Sequence, residues 1–225
     1  GIMNLRLAFA TTGRVLTQIR HDPRTIGLLL IVPSVLIGLL AWIYDDTPVF
    51  NLVGPAVLAL FPFTIMFVVT SMTTLRERRT GTLERQLTLP INKLDIILGY
   101  ALAFGLLAVF QAGIAVGLSV WLFGLEISGS LWWLLVIAVA DAVLGTALGL
   151  LASAFANTEF QVAQFMPAFV FPQMLLGGLL LPRDEMPDVL YAISDWLPLS
   201  HAIDALNAVA RDDQDDSYLV VKLLI

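Results

Sequence analysis

The residues of this chain whose types and spacing suggest chemistry lie together in one stretch, TLRERRTGTLERQLTLP, residues 74–90. It holds six charged side chains, whereas residues 47–73 before it and 96–125 after it contain no Asp, Glu, Lys or Arg. Clustered charges of both signs are suited to binding a soluble partner through ion pairs. The alternative is that the arginines only fix the direction in which the chain crosses a membrane. We favour a docking surface, because topology alone needs neither a Gly-Thr turn nor a proline here.

The same stretch predicts a short amphipathic helix that lies across the mouth of a helical bundle. Gly81 permits a change of direction after the arginines, and Thr80 or Thr82 can cap a new helix over residues 80–89. Glu84 then falls in its first turn, where the helix dipole favours an acid. The apolar edge and the end of this helix are formed by Leu83, Leu87 and Pro90.

Residue types that carry most enzyme chemistry are scarce in this chain. There is no cysteine, which excludes disulfides and thiolate metal sites. The chain has only two histidines, His21 and His201, which is too few for a His-rich metal centre. A phosphate-binding loop of the Walker A type needs a Gly-Lys pair, and neither Lys93 nor Lys222 follows a glycine. The chain therefore cannot bind ATP in that manner, and active transport would take its energy from a partner.

We take four of the polar side chains that interrupt the apolar stretches as candidates for lining a substrate pathway. Asp141 lies in the middle of one stretch, Gln111 in the stretch before it, and Gln164 and Gln173 in the stretch after it. An ionisable residue at membrane depth is costly and is by default a functional hypothesis. The alternative for Asp141 is structural pairing inside a bundle. An intramembrane enzyme is disfavoured, because Asp141 has no second catalytic group at its depth.

The composition of the whole chain predicts an all-α integral membrane protein. Of 225 residues, 58% are hydrophobic and 13% are charged, whereas soluble domains carry about 25% charged residues. A helix needs about 20 mostly apolar residues to cross a bilayer. Five stretches are long enough and a sixth begins near the end of the sequence, where we interpret it as a truncated span: 26–44, 52–75, 94–123, 131–156, 160–181 and 217–225. Residues 1–25 precede this transmembrane domain of residues 26–225.

The distribution of charge predicts the orientation of these spans. Of the twelve Lys and Arg residues, four precede the first span and five lie in or beside the loop after the second. Nine basic residues on one face indicate the cytoplasmic side. Twelve of the eighteen acids lie on the opposite face, and all five tryptophans lie near the outer ends of the spans or in the last outer loop. The N-terminus is therefore predicted to be cytoplasmic.

Residues 4–20 have the pattern of an amphipathic basic helix. Leu5, Phe9, Leu16 and Ile19 share one stripe, and arginines lie elsewhere on the helix. Such a helix ahead of the first span is expected to lie in the membrane interface. Whether it only anchors the chain or also contacts a partner stays open.

Two pairs of glycines spaced four residues apart predict close contacts between helices. They are Gly113 with Gly117 and Gly145 with Gly149. Small residues at this spacing let two helix backbones approach each other. We expect the third span to pack on the fourth within one subunit.

The fifth candidate span is the most irregular. Pro167 and Pro172 interrupt its hydrogen bonding, and Gly177 and Gly178 allow a turn. Non-helical backbone at membrane depth is tolerated where it is buried in protein or lines a wet cavity. We therefore expect a broken or re-entrant fifth helix, with a kinked helix as the alternative. Residues 183–211 after it have two short helical patterns and are expected to form an outer lid.

Three sequences carry a resemblance to a known family. RERRTGTLERQLTLPINKLDIILGY (76–100), FVFPQMLLGGLLLPRDEMPDVL (169–190) and LPLSHAIDALNAVAR (197–211) resemble, in order, segments of the ABC-2 type permeases, the membrane subunits of ATP-binding-cassette exporters. The resemblance covers essentially the whole chain. It implies the six-helix ABC-2 type (type V) exporter fold with an N-terminal interfacial helix as the connecting helix.

The resemblance also implies how the chain would be driven. Residues 80–89 would be the coupling helix, which seats in a groove of a separate ATPase subunit. Two permease copies and two ATPase copies would form the transporter, and ATP and Mg would be bound by the ATPase, with no cofactor in this chain. The residues expected to couple the two subunits are Arg76, Glu77, Arg79, Gly81, Thr82, Leu83, Glu84 and Leu87.

These patterns together predict an exporter permease in a bacterial cytoplasmic membrane, surrounded by lipids and with no role in binding nucleic acid. The mostly apolar pathway favours a hydrophobic or amphipathic cargo such as a drug, antibiotic, lipid or glycolipid. Export of a polysaccharide or lipid-linked glycan is the alternative within the family, although its tunnel should have aromatic residues at its core. An ATPase-independent channel or carrier is the alternative outside it, and it would not need residues 80–89.

Overall fold

The structure is a computed structural model that describes residues 5–45, 49–81, 85, 88, 93–122, 124–125, 131–178 and 183–211. Regular secondary structure in this part of the chain is entirely helical, which confirms the all-α fold class. The helices, numbered here in chain order, are α1 (Leu5–Arg20), α2 (Pro23–Ile26), α3 (Val32–Ile43), α4 (Val49–Arg79), α5 (Lys93–Gly117), α6 (Leu131–Phe155), α7 (Glu159–Leu176), α8 (Asp188–Ser194) and α9 (Pro198–Arg211).

Three helical stretches are long and apolar enough to cross a membrane: Val53–Arg79, Leu98–Leu122 and Leu131–Phe155. They coincide with the second, third and fourth predicted spans. The stretch Leu98–Leu122, which is the third predicted span, includes the π-helical turn Leu118–Leu122 that continues α5. For the first and fifth spans, α3 has only 12 residues and the 18 residues of α7 include Glu159 and three glutamines, so those two stay predictions. Residues 217–225 lie outside the described residues.

The first apolar helix changes its hydrogen-bonding pattern in front of a proline. A π-helical turn, Gly27–Ile31, joins α2 directly to α3, where Pro33 is the second residue. A proline has no N–H to donate and its ring crowds the preceding turn. The wider π turn accommodates this, so the chain stays helical from Pro23 to Ile43.

Helices α4 and α6 run side by side in the same direction through the middle of the bundle. A Cβ atom added to Gly149 would lie 2.6 Å from the Phe67 carbonyl oxygen, and one added to Gly145 would lie 3.0 Å from Phe63 Cα. The pair of glycines thus packs against the second span, whereas a Cβ at Gly113 would meet nothing within 4 Å. The third span packs on the fourth within one subunit, as expected, but the closest backbone approach of Gly145 and Gly149 is to the second span.

Helix α1 packs against α5 with a different stripe from the one that the sequence predicts. Its buried residues are Ala8, Thr12, Val15 and Ile19, while Leu5 and Phe9 are 54% and 63% exposed. The Thr12 hydroxyl donates to the Gly99 carbonyl oxygen at 3.1 Å, and a Cβ at Gly99 would lie 2.5 Å from Thr11 Cβ. The small residues Ala8 and Thr12 lie at this contact because two helix backbones can approach closely only where side chains are short.

Helix α7 is continuous through both of its prolines. It runs to Leu176, and the chain then turns at Gly177 and Gly178, where Gly178 has a φ of 94°. The Gln173 side-chain amide donates to the Phe169 carbonyl oxygen at 2.7 Å, close to the place where Pro172 disturbs the helical ladder. The predicted break therefore lies after Leu176 and not at the prolines. The return through Pro182 lies outside the described residues.

Helix α9 is folded onto the bundle. Its apolar stripe, Leu199, Ile203 and Leu206, is buried, and the helix packs against α4, α6 and α7. The Leu199 N–H donates to the Gln173 side-chain oxygen at 3.2 Å, which ties the start of α9 to α7. The segment after the fifth predicted span is therefore part of the core and not only a cover over it.

Candidate functional site

The end of α4 carries a cluster of charges that joins it to five other helices. Three consecutive residues of α4 each bind a different part of the bundle, and we call the whole cluster the arginine hub. Its members are Arg14, Asp22, Arg76, Glu77, Arg78, Tyr100 and Glu159, together with the carbonyl groups of Ser153 and Ala156. The opposite end of the bundle, where Trp42, Trp121, Trp132 and Trp196 lie, is called the tryptophan end.

Glu77 is the buried centre of the arginine hub, with 8% of its surface exposed. The Tyr100 hydroxyl donates to Glu77 Oε2 at 2.6 Å, and Arg14 Nη2 donates to the Tyr100 hydroxyl oxygen at 2.9 Å. Arg14 Nη1 lies 3.5 Å from Glu77 Oε2. This triangle links α1, α4 and α5 through a charge pair that is largely removed from water, where such pairs are stronger than at a surface.

Arg76 bridges two carboxylates on other helices. Its Nη1 lies 3.2 Å from Asp22 Oδ2, and its Nε lies 2.9 Å from Glu159 Oε1. The hydrogen bond from Arg76 lowers the pKa of Glu159 below its usual range. The pKa of Asp22 is lowered chiefly by a hydrogen bond from the Thr25 hydroxyl, then by the backbone N–H groups of Thr25 and Arg24 that Asp22 caps, and least by the charge of Arg76. Arg76 thus holds α4 to the starts of α2 and α7.

Arg78 binds the end of α6. Its guanidinium donates to the Ser153 carbonyl oxygen and, at 2.9 Å, to the Ala156 carbonyl oxygen. The last carbonyl groups of a helix have no partner within that helix and carry its negative dipole end. An arginine from α4 therefore caps α6, and the two central helices are joined at this end as well as along their glycine contact.

The predicted coupling segment leaves the bundle directly after this hub. Arg79 is exposed, and Gly81 has a φ of 72°. Thr80 ends α4, since its hydroxyl donates to the Arg76 carbonyl oxygen at 2.9 Å, which is a different role from capping a new helix. The Arg85 N–H donates to the Gly81 carbonyl oxygen at 2.9 Å. Thr82, Leu83, Glu84 and Leu87 lie outside the described residues.

The eight predicted coupling residues thus fall into distinct groups. Arg76 and Glu77 bind side chains of their own bundle, Arg79 is exposed, and Gly81 forms the turn. Of these four described residues, Arg79 is the charged one whose side chain is exposed and accessible to another molecule. The sequence could not separate these roles, because all of the charged residues are adjacent.

Three of the four polar candidates for a substrate pathway are buried within the chain. Gln111, Asp141 and Gln173 are 1%, 3% and 4% exposed, whereas Gln164 is on the surface of α7. Among the described residues, neither the Asp141 carboxylate nor the Gln111 amide has a hydrogen-bond partner. Asp141 lies one turn before Gly145, on the face of α6 that meets α4. The three buried residues therefore do not line an opening on the surface of this subunit.

A second polar cluster, at the tryptophan end, is one that sequence reasoning missed. Arg183 is 7% exposed, pairs with the carboxylates of Asp195 and Asp204, and donates from Nε to the Ser194 hydroxyl at 2.9 Å. Burial lowers the pKa of Arg183, but the two acids outweigh it and the net direction is upward. One signal was available: Arg183 begins a segment, 183–211, whose other charged residues up to position 210 are all acids.

Neither cluster is arranged as a metal site. Across the described ranges, no group of three or more His, Cys, Asp or Glu residues could hold a metal ion. In both clusters an arginine occupies the position between the carboxylates. Their chemistry is that of fixed ion pairs that join helices.

A family model described as ABC-2 type transporter matches residues 6–210. The chain belongs to the ABC-2 type transporter family. The resemblance that the sequence carries is thereby confirmed, and the apolar helices belong to an integral membrane protein. Permeases of this family work with ABC ATPase partners and are generally not enzymes themselves.

Curated relatives are similar over most of this chain. The chain is 29% identical over 161 residues to the probable multidrug ABC transporter permease YbhR of Escherichia coli (strain K12), which is 72% of this chain and 44% of that protein. It is 28% identical over 152 residues to the linearmycin resistance permease protein LnrN of Bacillus subtilis (strain 168), covering 65% and 39% of the two chains. It is 24% identical over 159 residues to ABC transporter G family member 20 of Dictyostelium discoideum, covering 71% and 22%. The chain thus spans less than half the length of these relatives.

Proposed function

We propose that this chain is the permease of an ATP-driven exporter that moves a hydrophobic or amphipathic compound out of a bacterial cell. Two copies would form the pathway, and two copies of a separate ATPase would bind ATP and Mg and supply the energy. The end of the bundle that carries the arginine hub, here called the arginine end, would face the cytoplasm. The observation that carries this proposal is the arginine hub, which is placed directly before the exposed turn at Arg79 and Gly81.

The hub explains how a push on residues 80–89 would reach the rest of the molecule. Residues 76–78 of α4 are bound to α1, α2, α5 and α7 by side chains and to the end of α6 by carbonyl groups. A force applied just beyond Arg79 would therefore move the ends of several helices together. An isolated segment that only fixed topology would not require these connections.

The substrate class rests on two supports. YbhR is a probable multidrug permease and LnrN a linearmycin resistance permease, so relatives handle drugs or antibiotics. The surface of α7 that contains Gln164 is otherwise mostly apolar, with Phe160 71% and Leu175 51% exposed. A mostly apolar surface with a scattered amide suits a lipophilic or amphipathic compound better than a highly charged one. Lipids and glycolipids belong to the same class, whereas a polysaccharide exporter would need aromatic residues along its tunnel.

The test is reconstitution of the permease with an ATPase subunit that carries a Gly-x(4)-Gly-Lys-Ser/Thr loop. Transport of a fluorescent amphiphile into or out of vesicles is measured with and without ATP, and co-purification of the two proteins is measured in parallel. Arg79→Glu and Glu84→Arg should each weaken association by roughly tenfold or more, because a reversed charge in an interface costs at least about 1.4 kcal/mol.

The matched control is Glu185→Arg, the same charge reversal at an exposed position of the opposite end. It should leave co-purification and ATP-dependent transport unchanged. Full transport by the permease alone, without nucleotide, would overturn the proposal and favour an ATPase-independent channel or carrier. Transport of a glycan in place of amphiphiles would favour the other branch of the family.

A further inference from the structure

Helix α8 has an apolar face that nothing in the described chain covers. Val189, Ile193 and Trp196 are 71%, 46% and 88% exposed, and their spacing of four and three residues places them on one side of the helix. Together with Asp188 and Ala192 they line an open groove of about 420 Å³. Proteins in water rarely expose large apolar side chains in one contiguous group. We therefore expect this face to contact another molecule or the membrane.

The C-terminal end of α8 is bound to the rest of the protein through Arg183 and Ser194. Ser194 is fully buried and its hydroxyl accepts a hydrogen bond from Arg183, which also pairs with Asp195 and with Asp204 of α9. The Arg183 guanidinium lies 5.0 Å from the centre of the Tyr191 ring, a distance at which a cation is attracted to an aromatic face. These contacts fix the rotation of α8, so its apolar face points away from the bundle.

The position of α8 identifies the occupant as the lipid bilayer. Trp42, Trp121 and Trp132, at the ends of three other helical stretches, are 77%, 77% and 68% exposed, as in an aromatic belt at a membrane–water boundary. Trp196 continues that belt. Three acids near the start of α8, Asp184, Glu185 and Asp188, are also exposed and would stay in water.

A second copy of the chain fits this face less well. Stable protein interfaces use about 20–30 residues on each side, and α8 offers four apolar side chains on seven helical residues and the turn after them. A short amphipathic helix with a terminal tryptophan is instead typical of segments that lie in the plane of a membrane interface.

We propose that α8 lies in the bilayer interface at the tryptophan end, with Val189, Ile193 and Trp196 among the lipid headgroups and upper acyl chains, and that Arg183 is the positioning residue that turns this face toward the lipids. The inference rests on the proposed function only in taking the tryptophan end as a membrane boundary. Helix α8 is thereby anchored to lipid on one side and, through Arg183 and Asp204, to α9 on the other.

The test uses single cysteines, which the chain permits without other changes because it contains none. Val189→Cys and Ile193→Cys are labelled with a nitroxide in phosphatidylcholine vesicles, and Glu185→Cys is the matched control on the acidic side. Electron paramagnetic resonance measures collisions with oxygen, which concentrates in lipid, and with a nickel chelate, which stays in water. The two apolar positions should show a higher ratio of oxygen to nickel collisions than the control.

Two results would overturn the inference. Nickel access equal to that of the Glu185 position would place α8 in water, and exclusion of both reagents would mean that protein, such as a second copy, covers the face. The measurement needs neither an ATPase nor a substrate, so it can fail while the proposed export function holds, and the reverse.

The role of Arg183 is tested in the same Val189→Cys background. Arg183→Gln should increase nickel access and label mobility at position 189, whereas Asp184→Asn should not change them. Where Arg183→Gln fails to fold, Asp204→Asn removes one of its two acids and should raise nickel access to a smaller extent. Unchanged collision rates in both variants would show that Arg183 does not position α8.

Discussion

The sequence predicts that Glu77 contacts a partner subunit, but its side chain is bound inside its own bundle. It is buried in the arginine hub, where it accepts a hydrogen bond from Tyr100 and pairs with Arg14. A hydrogen bond to a charged group stabilises a fold by roughly 1.5–3 kcal/mol. We expect Glu77→Gln to lower the free energy of unfolding by about that amount, measured by thermal unfolding in detergent.

Tyr100→Phe is the companion variant for Glu77. It removes the hydroxyl but leaves the ion pair between Arg14 and Glu77, so its effect should be smaller, about 1–2 kcal/mol. An unfolding temperature of Glu77→Gln equal to that of the wild type would contradict the buried triangle.

The contribution of Glu159 should depend on pH. Its folded-state pKa lies below the ordinary value of 4.5, because it accepts a hydrogen bond from Arg76. A lowered carboxyl pKa stabilises the fold fully above about pH 4.5, and this contribution is lost as the pH falls through the folded-state pKa. Glu159→Gln should therefore lower the melting temperature at pH 7 and converge with the wild type under acid conditions. Glu185→Gln, exposed at the other end, is the control, and a pH-independent difference for Glu159→Gln would argue against the pair.

At the scale of elements, the contact between α4 and α6 depends on two glycines. A methyl group at Gly149 would lie 2.6 Å from the Phe67 carbonyl oxygen, and backbone cannot move aside as a flexible side chain can. Gly149→Ala should therefore reduce the unfolding temperature. Gly113→Ala, where a Cβ meets nothing within 4 Å, should leave it unchanged or raise it, since alanine favours a helix by about 1 kcal/mol over glycine. Equal effects at the two positions would mean that propensity and not packing decides.

The choice of face on α1 shows what the helical period could predict. The spacing of its residues correctly indicates a helix with two different sides. It could not indicate that Ala8 and Thr12, and not Leu5 and Phe9, meet the bundle, because this choice depends on Gly99 of α5. Hydrophobicity ranks which residues avoid water, and both lipid and protein satisfy that requirement in a membrane.

For the whole molecule, the orientation in the membrane is testable with the same cysteine-free background. Arg85 is exposed at the arginine end and Asp188 is exposed at the tryptophan end. In cells with a permeable outer membrane, a membrane-impermeant maleimide should label Asp188→Cys and should label Arg85→Cys only after the cytoplasmic membrane is broken. Detergent-treated cells, in which both should react, are the control. The reversed pattern would overturn the predicted cytoplasmic N-terminus.

The sequence by itself determined the class of molecule and its family. Apolar length, helical period and the segments from 76 to 100 and 169 to 211 are local properties, so they predict helices, a membrane and an ABC-2 permease without knowledge of any contact. The tertiary structure alone decided which charges bind each other. Arg76 binds Glu159, 83 residues away in the chain, Glu77 binds Tyr100, 23 residues away, and Arg183 binds Asp204, 21 residues away. No local pattern records which distant side chain lies beside a given guanidinium or carboxylate.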